Sequence, residues 1–229
     1  MSLLNIAKVF VDENGKFGNP VGIVIDEERK LNEEKRQKIA TKLNFSETVF
    51  VDSLGTTPEI SIFNPQDKVK FAGHAVLGTA YFINRIFGKT VSSIKCWDKN
   101  VLVRFERELT YVVAPLAIMP NWNFKELTSS HEVENLSQDI FSKMEHTFAW
   151  AWMDETKGLV RARTFAPDWG IPEDQANGSG SMLLASKLSR ELEIHHGEGS
   201  IIFAKPEGSD NAEVGGLVGI DNQKELELD

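Results

Sequence analysis

Apolar residues fall mostly into short alternating runs along this chain, but two longer runs stand out, each introduced by a turn of small residues. The first turn and run read Phe71-Ala72-Gly73-His74-Ala75-Val76-Leu77-Gly78-Thr79-Ala80 and continue through Tyr81-Phe82-Ile83 and Ile86-Phe87. The spacing predicts a helix that ends at Gly88, which stands where a C′ glycine is expected. Ahead of it Glu59-Ile60-Ser61-Ile62-Phe63 has strand character and is closed by Asn64-Pro65. The same order returns later. Val160-Arg161-Ala162-Arg163-Thr164-Phe165 stops at Ala166-Pro167, and a loop follows. Asp174-Gln175-Ala176-Asn177-Gly178-Ser179-Gly180-Ser181 then opens the second run at Met182-Leu183-Leu184-Ala185. A repeated unit of strand, Phe-x-Pro, loop, small-residue turn and helix implies two similar halves, residues 1–118 and 119–229, with a site between them.

The remaining pattern supplies the walls. Residues 6–11 and 21–25 read as strands, with turns at Asp12-Glu13-Asn14-Gly15 and, tighter, at Phe17-Gly18-Asn19-Pro20. Asn32 caps a helix over 33–43, with Glu33 and Glu34 at its dipole-favoured end. Residues 101–105 with 110–114, and 148–153 with 158–165, predict two hairpins, the second turning at Asp154-Glu155 with Trp150 and Trp152 on one core face. The polar stretch 121–138 reads as a linker without a chemical motif. The second helix is expected to end near Leu192, strands follow over 200–204 and 213–220, and 221–229 form an acidic tail.

The strand predicted over 43–51 carries the first chemical clue. Its odd positions are Leu43, Phe45, Glu47, Val49 and Val51, and side chains two apart share one face. Glu47 is therefore a carboxylate on an apolar face, where burial is expected to raise its pKa toward what a general acid/base needs. A strand end reaching solvent or a lysine is the plainer reading. The two small-residue turns carry the second clue. A helix start leaves backbone N–H groups without partners at the positive end of the dipole, and Gly73 and Gly178 let a carboxylate or phosphate approach them.

Composition narrows the classes. The chain has 229 residues, 41% of them hydrophobic and 26% charged, as in an ordinary globular protein. A formal net charge of -9 disfavours nucleic acid or an anionic membrane as partner, but leaves room for a small anionic metabolite. No apolar run has transmembrane length and the first residues lack a signal-peptide layout, which predicts a cytoplasmic protein. A single cysteine, Cys96, excludes an internal disulfide and two-cysteine chemistry. His195-His196 cannot both face one metal in a regular element, His131 and His146 stand among polar residues, and no metal site is expected. A P-loop, a dinucleotide fingerprint and a nucleophile elbow are all missing.

Four blocks together resemble the phenazine-biosynthesis PhzF-like family, of the diaminopimelate epimerase fold. They are Phe17-Gly18-Asn19-Pro20; Ser46-Glu47-Thr48-Val49-Phe50-Val51; Phe71-Ala72-Gly73-His74 with its helix; and Arg163-Thr164-Phe165-Ala166-Pro167 followed by Glu173-Asp174-Gln175-Ala176-Asn177-Gly178-Ser179. The resemblance implies an α+β fold of two pseudo-symmetric halves, each a sheet or barrel wrapped around a central helix. It implies a cofactor-independent isomerase, commonly a homodimer, that moves a carbon-bound proton on a small carboxylated metabolite. Epimerases of this fold use one cysteine per turn, and Gly73 and Asp174 occupy those positions here, as in the PhzF-like branch. By the resemblance Glu47 carries the proton, and Gly73, His74, Asp174, Gly178 and Ser179 bind substrate. The family usually has Pro and Thr where Ala75 and Asn177 stand, and Pro or a similar residue at Gln175. A catalytically silent member that binds a metabolite or a protein through the same cleft is the alternative.

Overall fold

A helix that is apolar around its whole circumference needs a wall on every side, and the strands supply one. The computed structural model describes residues 3–137, 140, 145–221, 224 and 225. Strands β1 (Leu3–Val11) and β2 (Phe17–Ile25) form an antiparallel hairpin. Helix α1 (Glu33–Leu43) leads to β3 (Glu47–Ser53), which joins β2 in parallel. Strand β4 (Glu59–Phe63) pairs antiparallel with β3, and short β5 (Lys68–Val69) folds back on β4. Helix α2 (Gly73–Phe87) follows, and then β6 (Ser93–Cys96), parallel to β4. Strands β7 (Lys99–Glu106) and β8 (Leu109–Pro115) continue the sheet.

The second half repeats this wiring. Strand β9 (Asn123–Glu126) runs parallel to β10 (Thr147–Asp154), with the short helix α3 (Ser130–Glu134) between them in sequence. Strand β11 (Leu159–Ala166) is antiparallel to β10, and β12 (Ile171–Asp174) folds back on it. Helix α4 (Gly178–Leu188) comes next, and β13 (Leu192–His196) lies parallel to β11. Strands β14 (Ser200–Glu207) and β15 (Asn211–Ile220) complete the wall. Parallel pair, antiparallel pair, back-folded strand, helix, parallel pair: both halves share that order. Strand β15 pairs with both β8 and β1 and so closes a ring of β1-β2-β3-β4-β6-β7-β8-β15 around α2.

One apolar cluster runs from the α2 side chains through the inner faces of β1, β2 and β3 into α4. Leu77 and Ile83 are fully buried in it, each contributing about 1.5–3 kcal/mol. A smaller cluster, including Leu31, Ile39, Ala40, Phe50 and Phe63, seals α1 against the sheet. No helix among the described residues is long and apolar enough to cross a membrane.

Four local expectations need correction. Phe17-Gly18-Asn19-Pro20 is not a turn but the start of β2, pairing with β1 as Val9↔Asn19 and Val11↔Phe17. Phe17 and Gly18 both have positive φ there, at 61° and 81°, which bends the strand without ending it. The strand predicted from residue 43 begins instead at Glu47, because α1 runs to Leu43 and Asn44 caps it in the left-handed region at φ 52°. Helix α4 stops at Leu188, where Ser189 takes φ 53° and its N–H returns to Ala185 and Ser186. The stretch 121–138 holds β9 and α3 as far as it is described. The tail beyond Asp221 lies outside the described residues, except that Lys224–Glu225 pair with β1.

The second helix start tolerates no extra atom. A Cβ at Gly180 would collide with the ring of the fully buried Phe148 and lie 2.7 Å from Asn177 Oδ1. In an open helix Gly→Ala gains about 1 kcal/mol, whereas overpacking costs about 1–3 kcal/mol. Packing wins here. Gly180→Ala is expected to lower the urea midpoint at unchanged m-value, and an unchanged or raised midpoint would refute the tight fit.

Candidate active site

Helices α2 and α4 meet end to end. A Cβ on Gly178 would come within 3.3 Å of Gly73 Cα and His74 N, so glycine at both positions allows the close approach of the two N-termini. Their dipoles converge on a cavity of about 350 Å³, lined by Glu47, Gly73, His74, Asp174, Gly178 and Ser179 among others. All six residues singled out in the sequence therefore border one space. At the start of α2 the N-cap Ala72 makes no side-chain capping bond, whereas Asn177 caps α4 by accepting from Gly180 N.

Strand β3 delivers Glu47 on the same inner face as the buried Val49 and Val51. Its Oε2 lies 3.0 Å from His74 Nε2, with the side chains 14% and 4% exposed. The ion-pair contact is not aligned as a hydrogen bond, and neither atom has a hydrogen-bond partner among the described residues. The pair faces the cavity with polar atoms that no protein donor or acceptor among the described residues ties down. Asp174 is bonded very differently. Its Oδ1 accepts from Asn19 Nδ2 at 2.5 Å and Ser46 Oγ at 3.1 Å, and its Oδ2 from Asn177 Nδ2 at 2.8 Å.

Burial pushes the Asp174 carboxyl up to about 6, with the neighbouring Glu47 carboxylate adding to the effect and His74 and its donors opposing it. For His74, burial works against the charged ring, but the attraction of Glu47 and Asp174 outweighs it and the pKa rises. Burial thus brings the Asp174 carboxyl toward neutrality, while the carboxylates around His74 favour its charged ring. Among the described residues no group of three or more His, Cys, Asp or Glu side chains has a metal-binding arrangement.

Three further residues were not assigned a role from sequence. Asn19 and Ser46, both in the quoted blocks, hold Asp174. Trp122, in the stretch read as a linker, donates from Nε1 to Ser179 Oγ at 3.0 Å and lines the cavity with Trp169. The segment between the halves, Ala117 to Trp122, walls the cleft. His146 does not sit among polar groups alone. Its ring stacks on Trp169 at 4.5 Å and its Nδ1 pairs with Asp168. The signal available for Trp122 was a large aromatic ring in a polar run.

Of the three departures from the family pattern, only Asn177 lines the cavity. It both caps α4 and bonds Asp174. Ala75 is fully buried inside α2. Gln175 accepts from His196 Nδ1 through its backbone carbonyl, while His196 Nε2 meets Thr164 Oγ1 at 2.8 Å. Burial, reinforced by Arg161 and Arg163, holds His196 down at about 3. An unfolded histidine titrates near about 6.5, so this contribution to stability is complete above that value and is lost as pH falls toward 3. The slope reaches about 1.4 kcal/mol per pH unit. His196→Asn is expected to be less stable than wild type at pH 7, with the gap narrowing steadily by pH 4. A gap independent of pH would refute the buried neutral ring.

The comparisons bear on the family and the fold. Residues 7–98 match the family of phenazine biosynthesis-like proteins. A trans-2,3-dihydro-3-hydroxyanthranilate isomerase of Pseudomonas aeruginosa is 27% identical over 217 residues, covering 79% of this chain and 78% of that protein. An uncharacterized isomerase of the same organism is 32% identical over 205 residues, covering 76% and 77%. The crystal structure of a PhzF family protein from Enterococcus faecalis superposes over 100% of both chains with a TM-score of 0.80 at 20% identity, which shows the fold. Two halves of the same wiring, each with its own central helix, are the diaminopimelate epimerase-like α+β architecture. The chain belongs to the phenazine-biosynthesis PhzF-like family of isomerases.

Proposed function

We propose that this protein is a cofactor-independent isomerase that shifts a carbon-bound proton on a small carboxylated metabolite, with Glu47 as the single acid/base. One observation carries the reading. Glu47 Oε2 and His74 Nε2 are buried and paired at 3.0 Å, without an aligned hydrogen bond among the described residues, in a cavity on which two helix N-termini converge. The substrate carboxylate sits at the α2 and α4 N-termini, where backbone N–H groups and the two dipoles stabilise negative charge. Glu47 removes a proton from carbon, and the electron pair spreads through the conjugated system toward that carboxylate. The same carboxyl then returns the proton at another carbon, so no external oxidant or reductant is needed. His74 hydrogen-bonds the substrate or the Glu47 carboxylate in turn. Asp174, fixed by three donors, holds a polar substituent.

The relative's substrate, trans-2,3-dihydro-3-hydroxyanthranilate, sets the first compound class to try, cyclic unsaturated amino or hydroxy acids. A panel of such acids is followed by NMR in D2O, scoring both double-bond movement and deuterium uptake. Scoring both is necessary because a carboxyl that returns its own proton hides exchange. Isomerisation of a panel member is the expected result. Tight binding of a member without turnover would overturn the enzyme reading in favour of a silent binder.

A further inference from the structure

A serine hydroxyl both donates and accepts, so by itself Ser179 distinguishes poorly between a carboxylate and the NH2 end of a carboxamide. In this cleft its oxygen accepts from the Trp122 indole N–H at 3.0 Å. An indole nitrogen is a donor only, so the contact has one polarity. The hydroxyl's own outlet within the protein is poor. The hydroxyl donates to Asn177 Oδ1 over a long 3.4 Å, beyond the usual O–H···O range, and that oxygen also accepts from Gly180 N at 2.6 Å. The Ser179 proton is therefore available to the cavity, and a hydroxyl that accepts a bond becomes a better donor.

Trp122 is itself braced. Trp169 meets it edge-on at 4.9 Å, His146 stacks on Trp169, and Asp168 fixes His146 through Nδ1 at 2.8 Å. The brace reaches Ser179 from the segment between the halves, outside both glycine turns.

We propose that Trp122 is a positioning residue that commits Ser179 to donate into the cleft, giving the site its preference for a carboxylate over the matching neutral amide. This rests on the carboxylate seat proposed above. The test uses an acid and amide of equal shape, anthranilate and anthranilamide, titrated calorimetrically into wild type, Trp122→Phe, Ser179→Ala and the double variant. Wild type is expected to prefer the acid. Trp122→Phe should weaken the acid about tenfold, as for loss of a bond supporting a charged group, and leave the amide nearly unchanged. Without the Ser179 hydroxyl, Trp122→Phe should add nothing. Equal weakening of acid and amide, or an undiminished effect in the Ser179→Ala background, would make Trp122 mere packing and overturn the proposal while the seat stands. A wild type that does not prefer the acid removes the seat and the proposal together. Should Trp122→Phe fail to fold, 3-benzothienylalanine at position 122, which lacks only the N–H, carries the same expectation.

Discussion

Glu47→Gln is expected to fold as wild type does, to bind the same acids within a few-fold, and to isomerise none of them at a useful rate. Glutamine keeps the volume and the hydrogen-bonding reach of the side chain but cannot carry the proton. A positioned acid/base contributes about 10²–10⁴ in rate, and here one group serves both the removal and the return, so kcat should fall by about a thousandfold or more. The competing candidate is Asp174, whose carboxyl titrates at about 6 and would suit a base on that ground alone. Its bonding argues otherwise. Asn19, Ser46 and Asn177 donate to both Asp174 oxygens, whereas Glu47 Oε2 has no aligned partner among the described residues. A proton acceptor needs a lone pair directed at the substrate. Three donors leave Asp174 a single lone-pair site, on Oδ2, and hold its orientation, whereas Glu47 Oε2 accepts no hydrogen bond among the described residues. Single-turnover NMR in D2O, with Asp174→Asn run alongside, separates them. Near-normal turnover by Glu47→Gln with a dead Asp174→Asn would transfer the role to Asp174.

Much of this site was legible before any coordinates because its parts are local. Alternation alone put Glu47 on the face of Val49 and Val51. The small-residue turns marked both helix starts, and Asn32 and Gly88 marked helix ends that the structure keeps. What stayed hidden depends on contacts distant in sequence. Gly18-Asn19-Pro20 has turn composition, and it becomes strand only because β1 is there to pair with it. Trp122 lies among polar neighbours, and no local rule shows that its segment crosses the cleft to reach Ser179. The raised pKa of Asp174 was equally invisible, since burial depends on what α2 and β2 bring against it, not on its neighbours in sequence. Strand β15 joining both β8 and β1 is likewise invisible to periodicity, although it closes the wall around α2.

The wall also depends on a charge cluster remote from the chemistry, and Arg36→Ala is expected to cost about 3–5 kcal/mol, as removal of one partner from a buried ion pair does. Arg36 sits on α1 with its guanidinium 2.7 Å from Asp26 Oδ2 and 2.6 Å from Asp52 Oδ1, and lies over the ring of Phe50. The two carboxylates are not equally exposed to its loss. Asp26 keeps the backbone N–H groups of Lys30 and Leu31, at 2.9 and 3.3 Å. Among the described residues Asp52 keeps only the Ser61 hydroxyl, on its other oxygen. Most of the penalty should therefore come from Asp52, and Asp52→Asn in the Arg36→Ala background should recover a substantial part of it, although alone it destabilises. Urea denaturation of the four proteins of this cycle gives the answer. Additive losses would mean that the cluster contributes through the packing of the arginine stem on Phe50. Recovery would mean that α1 is held to the sheet by charge compensation, and that the β3 strand carrying Glu47 is anchored at its far end by the same pair.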